Sequence, residues 1–426
     1  MTLPSSSTVD THPTRALILS GGGAFGAYEA GVIHALARGQ SPATGYRPFY
    51  PRILTGTSVG AYNAAYLASR WDRPFPQAAR ELQNTWLDRI SDQKHRFGNG
   101  VLRYRLNPFE FLNLRLLLER PGQALGHAAD DIRSQVPLVT HTVRTLLGPK
   151  NIDSGTRLAS LLDVSAFVSN SPMAATIAET IDFDKIVRSP HHLSIVAARW
   201  NSGKLLVAHE TDLGPRRGPK LTKGSASIPG FFTPDRYGEE HLVDGGLLLN
   251  TPLDPAIQAG VDELFVVTLS PKDNTIPPMH FSALGTLLRS QDISWERQVA
   301  VAVTVIRFAN YFLAKQARFQ KTADRELDRA FQVFLRYVVH QTNEGLAAVL
   351  GKRLRPLTVY IMRPSEYLGL GPLGILNFKR GQIARLIALG MRDTKRHECD
   401  KNGCVIATDP STFTPIPSAM EGGMLL

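Results

Sequence analysis

The sequence predicts an α/β fold built on a mainly parallel sheet. Two segments carry that expectation: Ala16–Leu19, a short apolar run that breaks into glycines and then a helical pattern, and Arg52–Thr55, which repeats the arrangement through a second glycine-flanked turn. The third observation is that Ala16–Leu19 is apolar throughout rather than alternating, the pattern of a strand covered on both faces.

The run 16–19 reads as the first strand, Gly21, Gly22 and Gly23 as a tight strand-to-helix turn, and Ala27–Leu36 as an amphipathic helix. Such a turn aims several backbone N–H groups and the positive end of the helix dipole at an anion or oxyanion above it. Gly21, Gly23 and Gly26 also satisfy G-x-G-x-x-G, the phosphate-cradling pattern of dinucleotide-binding folds. That alternative wants an Asp or Glu about 20 residues further on, at the end of the second strand, and none stands there. Instead the second strand enters Gly56-Thr57-Ser58-Val59-Gly60, a G-x-S-x-G stretch followed by the helix-forming Ala61–Leu67. In strand-turn-helix context this is a nucleophile elbow, which makes Ser58 the candidate nucleophile.

A serine hydroxyl needs a base. His280, His340 and His397 lie far downstream without a motif around them, whereas Asp244 closes an apolar stretch and is followed by Gly245 and Gly246. Asp-Gly is also a hairpin-turn signal, and a turn can present a base. Trp71 to about residue 150 reads as a helical insertion rich in Arg and aromatics, suited to cap the site. Strands return at Leu193–Ala198 and Leu205–His209, joined by a turn at Trp200–Gly203, and at Leu264–Leu269. A linker at Pro271–Pro278 precedes the helical stretches Phe281–Ala314 and Ala323–Leu350.

Together the three motifs resemble those of the patatin-like phospholipases, serine acyl hydrolases that work with a Ser-Asp dyad and no histidine. The family's glycine-rich oxyanion motif is similar to Gly21-Gly22-Gly23-Ala24-Phe25-Gly26, its elbow to Gly56-Thr57-Ser58-Val59-Gly60, and its D-G-[AG] motif to Asp244-Gly245-Gly246, in the family order. Ala226–Pro234 resembles the segment that precedes the family's catalytic Asp, and Leu357–Pro364 with a helix near Phe378–Arg392 is similar to the end of bacterial members.

The resemblance implies a three-layer sandwich: a catalytic domain over 15–270 after a tail at 1–14, with the insertion at about 71–150, a helical region over 271–396 with a late strand and helix, and a tail at 397–426. It implies cleavage of lipid carboxylic esters, of phospholipase A or acylglycerol lipase type, through an acyl-enzyme and without metal or cofactor. Asp244 would take the Ser58 proton while N–H groups at Gly22 and Gly23 meet the oxyanion, each such donor being worth roughly 3 kcal/mol of transition-state stabilisation. Phe25 stands where many members carry Lys or Arg, which leaves neutral acyl esters among the expected substrates.

Composition bounds this reading. Of 426 residues, 43% are hydrophobic and 20% charged, the balance of a folded globular protein rather than a disordered one. A formal charge of +11 admits an acidic partner, but the basic residues are dispersed and no nucleic-acid module is recognisable, so an anionic lipid surface fits better than nucleic acid. Arg216, Arg217, Lys220 and Lys223 fall in the Gly- and Pro-rich stretch Gly214–Gly224, read as a surface loop that docks on membrane with Phe231 and Phe232 as apolar contacts. No transmembrane helix is expected, since Val299–Ala314 is short and broken by Arg307 and Asn310. The amino terminus lacks the features of a secretory signal, so a cytoplasmic enzyme, peripheral at a membrane, is expected. Cys399 and Cys404 make neither a disulfide framework nor a four-ligand zinc site and read as free thiols. Two other classes stay open at this stage: a nucleotide-binding oxidoreductase using the glycine turn, and a noncatalytic lipid-binding protein.

Overall fold

The computed structural model describes residues 13–92, 99–104, scattered positions within 122–132, 168–272, 283–319, 356–369 and 372–407. β1 (Arg15–Leu19) runs through a 3-10 turn at Gly23–Phe25 into α1 (Gly26–Ala37), and β2 (Ile53–Thr57) into α2 (Val59–Ala68). α3 (Phe75–Thr85) continues as a π-helical turn to Ile90, and β3 (Arg103–Tyr104) pairs with β4 (Val168–Ser169) as a separate antiparallel ribbon. α4 (Ser171–Thr180) and α5 (Phe183–Val187) lead to β5 (His192–Arg199) and β6 (Leu205–His209). α6 (Gly218–Ser225), β7 (Asp235–Tyr237), β8 (Glu240–Asp244), α7 (Leu253–Gln258) and β9 (Glu263–Val267) follow. The remainder comprises α8 (Ala283–Phe319), β10 (Thr358–Met362), α9 (Arg380–Lys395) and α10 (Cys399–Asn402).

The main sheet has the order β10-β9-β1-β2-β5-β8-β7, with β6 also paired to β5. From β10 through β5 every neighbouring pair is parallel; β6, β7 and β8 add antiparallel pairs. Alternation along β1 sets the layers, because successive side chains leave opposite faces. Leu17 and Leu19 join the cluster that holds α1, α2 and α9, while Ala16 and Ile18 join Leu253 and Ala256 of α7 with Val299, Val303 and Ile306 of α8. The result is a mixed, mostly parallel sheet covered by helices on both faces.

Register explains how distant residues meet. β2 pairs with β5 as far as Thr57 opposite Val196, and β8 takes up at Ala197 opposite Asp244. Since β6 occupies the other edge of β5 over the same residues, β2 and β8 lie end to end along one edge. The end of β2 and the end of β8 therefore converge.

α1 departs from the amphipathic expectation: all its residues are buried, including Glu29 and His34. Its outer face is covered by a second set of helices, and the contact with α9 is close enough to require glycine on both sides. A Cβ at Gly31 would lie 2.1 Å from the Ile387 carbonyl oxygen, and one at Gly390 would lie 2.2 Å from that of Tyr28. The start of the expected 71–150 cap likewise belongs to the core. Phe75, Ala78, Ala79 and Leu82 of α3 and the following Trp86 are buried against that same cluster, because the apolar face of α3 is spent on α1 rather than on a separate lid.

Nor do residues 397–407 form a tail. Val405 bridges Val359 of β10 in antiparallel fashion, which holds the segment on the sheet edge. Residues 1–12, most of the 71–150 insertion, most of the 271–278 linker, Ala323–Leu350, His280, His340 and 408–426 lie outside the described residues. Among the described residues no helix is long and apolar enough to cross a membrane.

A buried polar network ties α1 to α2. Asn63 donates to the Glu29 carboxyl at 2.8 Å and to the Gly26 carbonyl at 3.1 Å, while accepting the Trp86 indole N–H at 3.0 Å. Burial pushes the Glu29 carboxyl well above the ordinary value of 4.5, which favours the neutral acid. Its native form then binds a proton that the unfolded chain releases. Stability from this group is full below about pH 4.5 and falls as pH rises toward the native value. Glu29→Gln is expected to remove that slope and match or exceed wild-type stability at neutral pH. Asn63→Ala, which removes one partner each from the Glu29 carboxyl, the Gly26 carbonyl and the Trp86 indole N–H, should cost about 2–3 kcal/mol. Urea unfolding at pH 5 and pH 8 checks both.

Candidate active site

The first of the three glycine motifs is held open by a residue from another part of the chain. Gly21 N–H donates to the Asn250 carbonyl at 3.1 Å, and the Asn250 side-chain amide donates to the Gly21 carbonyl at 3.2 Å. Gly23 has φ 56°, and a Cβ there would stand 2.3 Å from the Ile375 carbonyl oxygen, so the turn needs glycine for both backbone shape and space. Among the described residues no acceptor is found for the Gly22 and Gly23 N–H groups. Ala24 and Phe25 are buried beneath them, and Gly26 begins α1.

The elbow forms because β2 must stop where β8 begins. Ser58 takes φ 56° and ψ −122°, a conformation that side-chain-bearing residues rarely adopt and that projects the side chain out of the strand line. The glycines on either side make room: a Cβ at Gly56 would lie 2.2 Å from the Gly60 carbonyl oxygen, and one at Gly60 2.4 Å from that of Leu19. Thr57 and Val59 are the last and first residues of β2 and α2.

A hydroxyl completes the junction. Continued parallel pairing would bond the Ser58 N–H directly to the Val196 carbonyl. Instead Ser58 N–H donates to Ser225 Oγ at 2.9 Å, and Ser225 Oγ donates to the Val196 carbonyl at 2.5 Å. Ser225 thus spans the gap that the elbow opens and fixes the backbone from which Ser58 projects.

Ser58 Oγ donates to Asp244 Oδ2 at 2.6 Å, across 186 positions of sequence. Asp244 ends β8, and its Oδ1 accepts the Gly246 N–H at 2.7 Å, so the turn at Gly245–Leu247 orients the carboxylate. Both side chains are nearly enclosed, Ser58 at 3% and Asp244 at 6% exposure. Burial raises the Asp244 carboxyl to about 6, while the bonds from Ser58 and Gly246 pull it back down. The carboxyl is thus ionised at neutral pH yet holds a proton more tightly than a free aspartate does. No histidine lines the cavity around the pair among the described residues.

Several residues at this site carry no sequence motif. Trp295 and Gln298 of α8 reach in: the Trp295 indole N–H donates to the Gly246 carbonyl at 2.7 Å, and Gln298 Oε1 accepts the Asn250 N–H at 3.3 Å. Ile375 closes the cavity over Gly22 and Ser58. On the other side of Ser58 an apolar pocket opens between Val59, Trp86, Met173, Ile177, Phe232 and Phe378. Thr222 of α6 and Ala226, just beyond the carboxyl end of that helix, line it as well.

The basic stretch differs from expectation. Residues 218–225 form α6 rather than a loop, because Leu221 and Thr222 pack inward and Pro219 sits in the first turn, where its missing N–H costs nothing. Arg216, Arg217 and Lys220 are exposed, but Lys223 pairs with Asp235 at 2.5 Å. Phe231 and Phe232 are 3% and 4% exposed and belong to the core, so they offer no apolar contact to a membrane.

The family model for patatin-like phospholipase matches residues 17–257. Among solved structures, VipD from Legionella pneumophila aligns with 15% sequence identity and a TM-score of 0.33, over 90% of this chain and 66% of that one. This chain thus spans just under two thirds of that protein's length. No curated protein sequence matches significantly.

The balance at Asp244 gives a measurable signature. Ser58→Ala removes a bond that favours the carboxylate, so the Asp244 titration, followed by carboxyl NMR, should move above the wild-type value of about 6. Because the native value is raised, stability from this group falls as pH rises from about 4 through 6, and the variant should carry that loss to higher pH.

Proposed function

The chain belongs to the patatin-like phospholipase family, and from that premise we propose that it is a serine acyl hydrolase of lipid carboxylic esters, with Ser58 as nucleophile and Asp244 as base. The observation that carries this reading is the 2.6 Å bond from Ser58 Oγ to a buried carboxylate, within a cavity that adjoins an apolar pocket. Asp244 accepts the hydroxyl proton as Oγ attacks the ester carbonyl, and the carbonyl oxygen becomes an oxyanion facing the Gly22 and Gly23 N–H groups. Collapse returns the proton to the departing alcohol and leaves an acyl-Ser58 ester. Water, losing its proton to Asp244, releases the fatty acid and restores the hydroxyl. A carboxylate base has no tautomer to set, so the Gly246 N–H that holds Oδ1 is orientation enough and no third side chain is required.

The apolar pocket beside Ser58 suits an acyl chain, since its lining by Met173, Ile177, Phe232 and Phe378 offers burial without polar partners. The same lining weighs against the nucleotide-binding alternative, and a noncatalytic lipid carrier would have no use for a base poised on Ser58. Phe25 is buried against Gly374 instead of presenting a cation, so the reading covers neutral acylglycerols as well as phospholipids.

A fluorophosphonate probe should label Ser58, and Ser58→Ala and Asp244→Asn should each lower turnover of phospholipid and acylglycerol substrates by on the order of 1,000-fold or more without unfolding the chain. The rate constant kcat/KM should rise with pH through about 6 as Asp244 ionises, then level off. Near wild-type activity of Asp244→Asn would remove the dyad. Absence of labelling and of hydrolysis across the panel would favour the carrier.

Docking on anionic lipid is part of the same proposal. Arg216, Arg217 and Lys220 are exposed on and before the helix whose other end lines the apolar pocket, and each cation gains on the order of 1 kcal/mol beside an anionic bilayer. Replacing the three by Ser should weaken binding to phosphatidylserine vesicles and flatten its salt dependence, with hydrolysis of a soluble ester unchanged. Unaltered vesicle binding would discard this part alone.

A further inference from the structure

The segment that follows α9 brings together three soft ligands that the cysteine spacing alone does not reveal. His397 lies just before α10, Cys399 begins it, and Gly403, with φ 79°, reverses the chain after one turn so that Cys404 comes back beneath Cys399. Gly403 and Cys404 N–H both donate to the Cys399 carbonyl, at 2.9 and 3.0 Å. His397 Nε2 then stands 3.5 Å from Cys399 Sγ and 3.4 Å from Cys404 Sγ, and all three ligand atoms lie within 4.8 Å of one another. A tetrahedral ion with bonds of about 2.3 Å to sulfur and about 2.0 Å to nitrogen subtends S···N edges of about 3.5 Å, so the cluster already has the dimensions of such a site.

We propose that His397, Cys399 and Cys404 bind one zinc ion, with the fourth coordination position supplied from solvent. The ligands are held by neighbours outside their own turn. Ile361 N–H of β10 donates to Cys404 Sγ at 3.3 Å, Arg307 of α8 donates to the Gly403 carbonyl at 3.2 Å, and the Val405–Val359 bridge follows at once. Asn402 sits against the imidazole, its side-chain Nδ2 donating to His397 Nδ1 at 3.0 Å, and a flip of the amide presents its oxygen to that nitrogen instead. Presented through its oxygen, the amide accepts the Nδ1 proton and leaves the Nε2 lone pair for the metal. His397 and Cys404 are buried, whereas Cys399 is half-exposed and shares with His397 an open cleft of about 570 Å³ that also meets Arg15, Glu263 and Tyr360. Solvent thus has access to one side of the cluster. On binding, two sulfur–zinc bonds replace two S–H bonds and two protons pass to solvent.

The site lies outside residues 17–257 and at the β10 edge, three strands from β2, so the hydrolase reading stands or falls separately. Titration of the reduced, chelator-treated full chain with cobalt should give one equivalent bound, with a thiolate-to-metal charge-transfer band that zinc displaces. Zinc should also raise the thermal midpoint. Cys399→Ser, at the half-exposed ligand, should lose both effects while hydrolysing a soluble ester at the wild-type rate. Asn402→Leu should weaken zinc binding by about 10–100-fold with all three ligands intact. No charge-transfer band in the reduced wild type, or equal cobalt uptake by a Cys399→Ser/Cys404→Ser double variant, would overturn the site. So would recovery of the two cysteines as a disulfide together with no metal uptake after reduction.

Discussion

One edge of β5 is shared by two strands, and the candidate active site exists because of that division. β2 occupies the edge through Val196 and β8 from Ala197 onward, so two chain ends that point toward each other must both turn away from the sheet there. Ser58 turns through a backbone conformation that costs on the order of 1–3 kcal/mol, and Asp244 through the Gly245–Leu247 turn. The strain of the elbow is offset by the hydroxyl of Ser225, which gives both orphaned backbone groups a partner. Ser58 and Asp244 are thereby brought together by sheet geometry, with little demanded of flexible side chains.

The environment around the pair is as consequential as the pair itself. Enclosure raises the Asp244 carboxyl above the value of an aspartate in water, which makes it the more basic group. That enclosure is assembled from distant segments: Trp295 and Gln298 from α8, Ile375 from the turn before α9, and Trp86 from the π-helical turn after α3. Trp86 is itself locked to Asn63, one and a half turns after Ser58 on the helix the elbow initiates. The packing of α1 on α2 and the wall of the candidate site are coupled through that single amide.

What could be read from sequence follows from locality. Strand, glycine turn and helix are written in consecutive residues, so the elements around Gly21–Gly26 and Gly56–Gly60 were legible, and with them the α/β class. Ser58 and Asp244 stood out because each is embedded in its own short motif. Asn250, Ser225, Gln298 and Trp295 have no such setting; an ordinary polar or aromatic residue becomes part of the site only when the sheet brings its segment alongside. The same limit explains the errors. α1 reads as amphipathic, but nothing in its own residues announces that Asn63 of α2 will take up Glu29 and that α3 and α9 will cover the rest of its outer side. Phe231 and Phe232 read as surface anchors, whereas both are buried in the core, Phe232 beside the pocket that Met173 and Ile177 of α4 and Phe378 also line. His397 was weighed as a catalytic base and the two cysteines as thiols, whereas folding groups the three.

The interlocking of α1 with α9 bears on how this chain can be divided. The family match ends at residue 257, yet β9, which flanks β1 in the sheet, begins at Glu263, and α9 covers α1 at carbonyl-to-glycine distance. A fragment cut to the matched region would leave β1 with one bare edge and α1 with an uncovered apolar side, directly behind the turn that carries Gly22 and Gly23. The stretch that is recognisable by kinship is therefore shorter than the stretch that folds. Exchange of modules between relatives at that border would separate the turns at Gly22 and Ser58 from the scaffold that keeps them in shape.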